Sequence, residues 1–119
     1  MGITEISYYV IPGLKIKKVR FQRIIVAIAD YYQISTRMMM SKCRQRKYVL
    51  ARNMCFYILQ KYFKMTLSEI GRAFNRDHTT AIHGIRMFHQ DRQVNEQYEM
   101  DYQNIKQILE LRQHTELIR

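Results

Sequence analysis

The sequence has few prolines and glycines, which interrupt helices, and few cysteines, which cross-link small domains. Its 119 residues include one proline and four glycines, and 47% of them are hydrophobic, which is typical of a compact helical domain rather than of a disordered or β-rich chain. Its two cysteines, Cys43 and Cys55, form no CxxC pair and have no histidine at zinc-site spacing. We therefore expect no disulfide framework, no metal and no cofactor.

Long apolar runs and targeting signals are also missing. No stretch approaches the ~18 apolar residues that a membrane-spanning helix needs. The N-terminus lacks the charged-then-apolar order of a signal peptide. We expect one domain, since the length suits a single core, and a cytoplasmic, nucleoid-associated protein without a membrane partner.

Acidic residues are scarce and unevenly placed. The chain has 20 Lys and Arg against 10 Asp and Glu, a formal net charge of +10. Residues 1–95 hold 17 basic and 5 acidic residues, whereas residues 96–119 hold 3 and 5. Such an excess on a small chain creates a strong positive field, which makes nucleic acid the first partner to consider.

Apolar residues repeat at helical spacing in four segments, which predicts amphipathic helices at about 20–32, at 45–63, from 78 onward and up to about 113. The repeating residues are Phe21, Ile24, Ile25, Ile28 and Tyr32 in the first segment, Ala51, Met54, Cys55, Ile58 and Tyr62 in the second, Ala81, Ile85 and Phe88 in the third, and Tyr98, Tyr102, Ile105 and Leu109 in the last. Residues 1–19, which contain the single proline, are predicted to form an N-terminal arm, and residues 20–119 the folded domain.

The segment between the second and third of these helices predicts a helix-turn-helix. Thr66 and Glu69 have the spacing of a capping box, which starts a short helix at about 67–74. After a turn, Asp77 suits the N-cap of the next helix. A short helix, a turn and a longer helix with a polar N-terminus make up the helix-turn-helix motif. In this motif the second helix enters the major groove of DNA. Asp77 could accept a hydrogen bond from cytosine or only cap the helix, and both interpretations remain open.

These residues resemble a known family. The segment 67–83, LSEIGRAFNRDHTTAIH, closely resembles the signature of the C-terminal DNA-binding domain of the bacterial replication initiator DnaA, and SKCRQR at 41–46 and ARNM at 51–54 resemble its basic loop and following helix. The likeness covers about residues 21–92. It implies an all-α helical bundle with a helix-turn-helix, in the Trp-repressor-like fold, here as a stand-alone DnaA-like domain with an added C-terminal helix.

The resemblance also implies roles for individual residues. It places Arg44 of the basic loop in the minor groove, Arg52 and Asn53 on phosphate, and the segment 77–80 in the major groove. The DNA-binding set predicted in this way is Lys42, Arg44, Arg46, Arg52, Asn53, Ser68, Arg76, Asp77, His78, Thr79, Thr80 and His83. The implied function is sequence-specific binding of double-stranded DNA at DnaA-box-like sites, in replication initiation or its regulation.

Departures from the family pattern limit this interpretation. The family usually has two glycines between the Phe and the Arg-Asp-His, whereas Asn75 stands alone here, so the turn is one residue shorter; Asn53 also replaces the usual Gln. Nothing resembles the phosphate loop of the initiator's ATPase, and the histidines fit no acid-base or metal pattern, so we expect neither nucleotide binding nor enzyme activity.

An alternative hypothesis makes the chain a protein-interaction adaptor. Its apolar N-terminal arm, with Tyr8, Tyr9, Val10 and Ile11, and its acidic C-terminal helix would dock on a replication or transcription complex. If the chain without residues 1–14 still captures the partner as the whole chain does, this result counts against the hypothesis.

Overall fold

The computed structural model describes the backbone of residues 14–109 and the side chains of residues 21–109. Within that part the chain forms six helices and no strand, which confirms the predicted all-helical class. The helices are α1 (Leu14–Tyr31), α2 (Thr36–Met40), α3 (Arg46–Phe63), α4 (Leu67–Ala73), α5 (His78–Val94) and α6 (Glu96–Leu109). The arm residues Tyr8, Tyr9, Val10 and Ile11 and the predicted helix end near residue 113 lie outside the described residues.

Helix α3 occupies the centre of the bundle and packs against α1, α2, α4 and α5. The five residues of its predicted apolar stripe, from Ala51 to Tyr62, are all buried, and so are the four of the predicted stripe on α6. Phe56 of α3 meets Phe74 edge to face, with ring centroids 4.9 Å apart. On these two helices the helical spacing therefore identified the buried face correctly, because burial of one stripe per helix holds the bundle together.

Local capping explains where two of the short helices begin. The Thr66 hydroxyl accepts from the Glu69 amide at 3.1 Å, and the Glu69 carboxylate accepts from the Thr66 amide at 2.9 Å. This confirms the predicted capping box at the start of α4. Ser35 caps α2 in the simpler way, since its hydroxyl accepts from the Met38 amide at 3.1 Å.

The first helix begins earlier than the apolar pattern predicts. It starts at Leu14 rather than near residue 20, so residues 14–19 of the predicted arm are helical. The lysine-rich start of this segment shows no apolar stripe, but lysine is a good helix former. The three lysines that follow the Pro-Gly pair therefore did not distinguish an arm from the first turns of a helix.

A polar cluster holds α6 against α1. The buried Asp101 carboxylate accepts from the hydroxyls of Tyr31 and Tyr32, each at 2.9 Å, and from the Gln97 amide at 2.9 Å. Burial together with this carboxylate raises the pKa of the Tyr32 hydroxyl. Helix α6, which follows the helix-turn-helix, is thus held against α1 by specific hydrogen bonds as well as by apolar packing.

Within residues 14–109, no helix is long and apolar enough to cross a membrane. The same part of the chain brings no three His, Cys, Asp or Glu side chains together as metal ligands. Cys43 is half-buried and Cys55 is completely buried, and both are free thiols.

Candidate nucleic-acid interface

The turn between α4 and α5 spans three residues after Phe74 and combines one left-handed residue with a glycine of α4, Gly71. Asn75 adopts φ 57°, which asparagine tolerates better than most residues. The Arg76 amide donates to Gly71 O at 2.7 Å. A Cβ on Gly71 would lie 2.7 Å from Arg76 O, so the shortened turn depends on glycine at this position.

Asp77 caps the N-terminus of α5. Its carboxylate accepts from the amides of Thr79 and Thr80 at 3.1 and 3.4 Å and from the Thr79 hydroxyl at 2.5 Å. The Thr79 hydroxyl and the Thr80 amide hold the pKa of this carboxyl below its usual value. Of the two roles left open by the sequence, the structure shows the cap.

The outer face of α5 is exposed and carries no acidic residue. His78 and Thr79 are exposed in its first turn, and Thr80 is half-buried beside them. The face continues along the helix with three exposed residues, His83, Arg86 and Gln90. A polar surface of this kind at the start of a helix-turn-helix second helix is the geometry that reads base edges.

The basic loop comprises residues 41–45, between α2 and α3. Lys42 and Arg44 are exposed on it. Within the loop, the Ser41 hydroxyl donates to Met38 O at 2.7 Å and accepts from the Cys43 amide at 3.1 Å. These bonds fold the loop back on the end of α2 and leave its cations facing solvent.

Two arginines reach the basic loop from elements on either side of it. Arg52 of α3 is only 5% exposed, and its guanidinium donates from Nε to Met39 O at 2.7 Å and from Nη2 to Cys43 O at 3.0 Å. Arg76 of the turn donates to Ser41 O. The sequence pattern placed Arg52 and Asn53 away from the apolar stripe, yet both are buried. Arg52 is buried off the stripe because the carbonyls of Met39 and Cys43 lie against its guanidinium, and Asn53 because Gly84 of α5 packs against it.

The basic loop, α3 and α5 together enclose an open cleft of about 470 Å³. Its walls bring together eight predicted DNA-binding residues and five others, which are Val49, Phe56, Gly84, Met87 and Asp91. The eight are Lys42, Arg44, Arg46, Arg52, Asn53, Arg76, Thr80 and His83. A second cleft of about 450 Å³ continues past Lys42, Arg76 and Thr80 to Asp77. Ser68, although predicted with this set, is exposed on α4 and lines neither cleft.

One acidic residue sits inside this basic cleft. Asp91 of α5 is buried, and its Oδ1 accepts from Arg46 Nη2 at 3.1 Å, while its Oδ2 is buried without a hydrogen-bond partner. The Arg46 side chain remains 62% exposed, so its charge is still available to an anion. No local sequence pattern points to Asp91, because the ion pair joins residues that lie 45 positions apart along the chain.

The close approach of α5 to α3 depends on Gly84, which the sequence analysis also missed. A Cβ at this position would lie 2.5 Å from the Phe56 ring and 2.6 Å from Asn53 Oδ1. A glycine inside a helix costs about 1 kcal/mol relative to alanine. That cost was the available signal that packing requires a glycine here.

Comparison with known proteins assigns the domain. The relatives include the chromosomal replication initiator protein DnaA of Oleidesulfovibrio alaskensis, 40% identical over 62 residues, which are 52% of this chain and 13% of the relative. The protein of the same name from Jannaschia sp. is 34% identical over 95 residues, 79% of this chain and 20% of the relative. The chain therefore spans about a fifth or less of the length of these curated relatives. The family model described as the bacterial dnaA protein helix-turn-helix matches residues 21–87, more than half of the chain, and the chain belongs to this family.

Proposed function

We propose that this domain binds duplex DNA selectively at DnaA-box-like sites, in replication initiation or its regulation. The observation that carries the proposal is the cleft that the basic loop shares with the first half of α5, which contributes Thr80 and His83 to its lining. A helix in the major groove and a basic loop beside it can then contact one stretch of duplex at the same time. The printed names of the relatives, chromosomal replication initiator proteins, support the biological context.

Affinity and selectivity come from different residues in this proposal. Lys42, Arg44 and Arg46 are exposed cations on the rim of the cleft and suit phosphates, whose neutralisation releases counterions. His78, Thr79 and Thr80 lie at the start of α5, where side chains meet base edges. The family resemblance implies that Arg44 reaches the phosphates from within the minor groove, whose negative potential attracts arginine. Double-stranded DNA is thus the proposed partner, and a nucleoid-associated, cytoplasmic location follows as part of the proposal.

The test is fluorescence anisotropy on a duplex that contains a TTATNCACA box and on a scrambled duplex, each at two salt concentrations. We expect preference for the box, and we expect Thr80→Val to reduce this preference by about tenfold, because a lost base contact is worth about 1–3 kcal/mol. The salt slope should not change, since no charge is removed. Thr36→Val on α2, which lines neither cleft, is the matched control.

Two outcomes would count against the proposal. Equal binding of box and scrambled duplexes by the wild-type protein would remove the selectivity and leave a general DNA binder. No binding at low salt would remove the DNA function altogether.

A further inference from the structure

Asp91 is the one acidic side chain that lines the larger cleft, and it is buried there. Its Oδ1 accepts from Arg46 Nη2 at 3.1 Å, while its Oδ2 is buried and has no hydrogen-bond partner in the part of the chain that the structure describes. A buried carboxylate oxygen without a donor is costly, because the charge loses its hydration and is not compensated. Apolar packing between α5 and α3 therefore does not account for an aspartate at this position.

The partner of Asp91 is the first residue of α3. Gln45, the N-cap of this helix, forms no side-chain cap hydrogen bond, and the first turn contains no acidic residue. The helix dipole disfavours a cation such as Arg46 at this end of a helix, and an acidic neighbour offsets part of that cost. The ion pair therefore has a role in the fold, and any effect of Asp91 on DNA has to be separated from its effect on stability.

The ion pair does not fix the guanidinium of Arg46. The hydrogen bond between the two side chains uses Nη2 and Oδ1, and the Arg46 side chain is 62% exposed against 9% for Asp91. A bidentate contact would set the plane of the guanidinium, whereas a single contact leaves it free to turn. The main effect of Asp91 on this cation is thus to neutralise part of its charge.

The charge of Asp91 acts on a cleft that is otherwise basic. Five cations line the cleft, namely Lys42, Arg44, Arg46, Arg52 and Arg76. Within residues 21–109, Arg46 is the only one of the five that forms an ion pair. Because a buried charge is screened less than an exposed one, its field extends to its neighbours: burial raises the pKa of the Tyr98 hydroxyl, and the charge of Asp91 raises it further. A phosphate that approaches Arg46 therefore meets a partly neutralised cation.

We propose that Asp91 attenuates the affinity of the cleft for DNA by competing with a backbone phosphate for the guanidinium of Arg46. The inference rests on the proposed function, in which Arg46 binds phosphate. A phosphate at Arg46 gains less than it would from an unpaired arginine, because the carboxylate shares the cation. Since phosphates carry no sequence information, the attenuation acts on box and non-box DNA alike. Base selection remains with the start of α5.

The test compares Asp91→Asn with the wild-type protein by fluorescence anisotropy on the box and scrambled duplexes at several salt concentrations. Asparagine keeps the shape of the side chain and an oxygen that can accept from Arg46, but it removes the charge. We expect the affinity for both duplexes to rise by about twofold to fivefold, the strength of a largely exposed ion pair. The salt slope should become steeper by up to about 0.9, the value for one phosphate contact. The box preference should not change.

Asp30→Asn on α1 is the matched control. It also removes one negative charge, from an exposed position that lines neither cleft. This variant should bind both duplexes as the wild type does at about 0.15 M salt, where distant exposed charges are screened. If it raises the affinity as much as Asp91→Asn does, net charge explains the effect and the inference is overturned.

A double-mutant cycle tests whether Asp91 acts through Arg46. Arg46→Gln should weaken binding by about twofold to fivefold more in the Asp91→Asn background than in the wild type, because only the unpaired arginine gives a phosphate its full interaction. Equal effects of Arg46→Gln in the two backgrounds would overturn the inference.

Urea denaturation of each variant separates the fold from the DNA contact. Unchanged affinity together with a lower free energy of unfolding would mean that the pair serves only the start of α3. Weaker binding by a folded Asp91→Asn would mean that Asp91 positions Arg46 for DNA. Either result overturns the inference. Asp91→Ala, which removes the charge and the unpartnered oxygen together, should show the same rise in affinity and decides the question if Asp91→Asn does not fold.

Failure of the inference and failure of the proposed function give different results. If the wild-type protein binds both duplexes equally, the proposed selectivity fails, while the affinity of Asp91→Asn on either duplex still decides the inference. If the wild type prefers the box and Asp91→Asn changes neither the affinity nor the salt slope, only the inference fails. No binding of either duplex at low salt overturns both.

Discussion

Gly84 is the residue that brings α5, the second helix of the helix-turn-helix, close to α3. A Cβ there would lie 2.5 Å from the Phe56 ring and 2.6 Å from Asn53 Oδ1, closer than real Cβ atoms approach. Phe56 is completely buried among core residues, and Asn53 is buried beside it. Neither neighbour can yield without disturbing the core or a wall of the cleft.

We therefore predict that Gly84→Ala lowers the free energy of unfolding by about 1–3 kcal/mol, as overpacking does, even though alanine favours a helix by about 1 kcal/mol. Urea denaturation measures this change. The control is Gln90→Ala, an exposed position on the same helix, which should be neutral or slightly stabilising. A gain in stability for Gly84→Ala would show that helix propensity decides and that the contact is not tight.

Single residues also show where sequence reasoning stops. The motif residues at the start of α5 could be placed because capping and helical period are local rules. The burial of Arg52 could not be predicted in this way, because the carbonyls that accept its hydrogen bonds lie 9 and 13 residues earlier in the chain. The pairing of Asp91 with Arg46 likewise spans 45 residues. Contacts of this kind depend on how helices pack, which no local pattern contains.

At the scale of elements, helix α6 is fastened to α1 through one buried carboxylate. Asp101 accepts from two tyrosine hydroxyls of the α1 end and from Gln97 of its own helix. Tyr98 of α6 also donates to Leu50 O of α3 at 2.5 Å. The apolar stripe predicted the helix, but the polar cluster that orients it follows only from the packing of α1 against α6.

We predict that Asp101→Ala lowers the free energy of unfolding by about 2 kcal/mol, because it leaves the hydroxyl of the half-buried Tyr32 without its charged acceptor. Urea denaturation measures the change, and the exposed Asp30→Ala on α1 is the control. In a Tyr32→Phe background the cost should shrink, since the two residues share one interaction. Equal costs in both backgrounds would mean that this hydrogen bond does not hold α6.

Helix boundaries that depend on local capping residues could be predicted from the sequence, whereas the other boundaries could not. The start of α4 followed from the capping box, and the start of α5 from Asp77. The turn between them, which is one residue shorter than in the family, closes through Asn75 and Gly71. The start of α1 was placed too late, because its first turns carry no apolar stripe to mark them.

At the scale of the whole molecule, positive charge is concentrated rather than uniform. The net charge is +10, and the cleft alone is lined by Lys42, Arg44, Arg46, Arg52 and Arg76 against the single acid Asp91. Exposed charges more than a Debye length apart, about 10 Å at 0.1 M salt, are largely screened from each other. The affinity for a duplex that lies against the cleft should therefore depend on the cations that line it rather than on the total charge.

This dependence on local charge gives a prediction that distinguishes binding of DNA at the cleft from binding of polyanions anywhere on the surface. Arg44→Glu on the basic loop and Arg23→Glu on α1 change the net charge equally, but only Arg44 lines the cleft. We predict that Arg44→Glu weakens duplex binding by at least about tenfold and lowers the salt slope by about 0.9, the effect of one lost phosphate contact. Arg23→Glu should stay within about twofold of wild type at 0.15 M salt, where distant exposed charges are screened. Anisotropy titrations on one duplex at several salt concentrations measure both quantities. Equal losses in the two variants would mean that net charge alone drives binding, in which case the cleft has no special part in it.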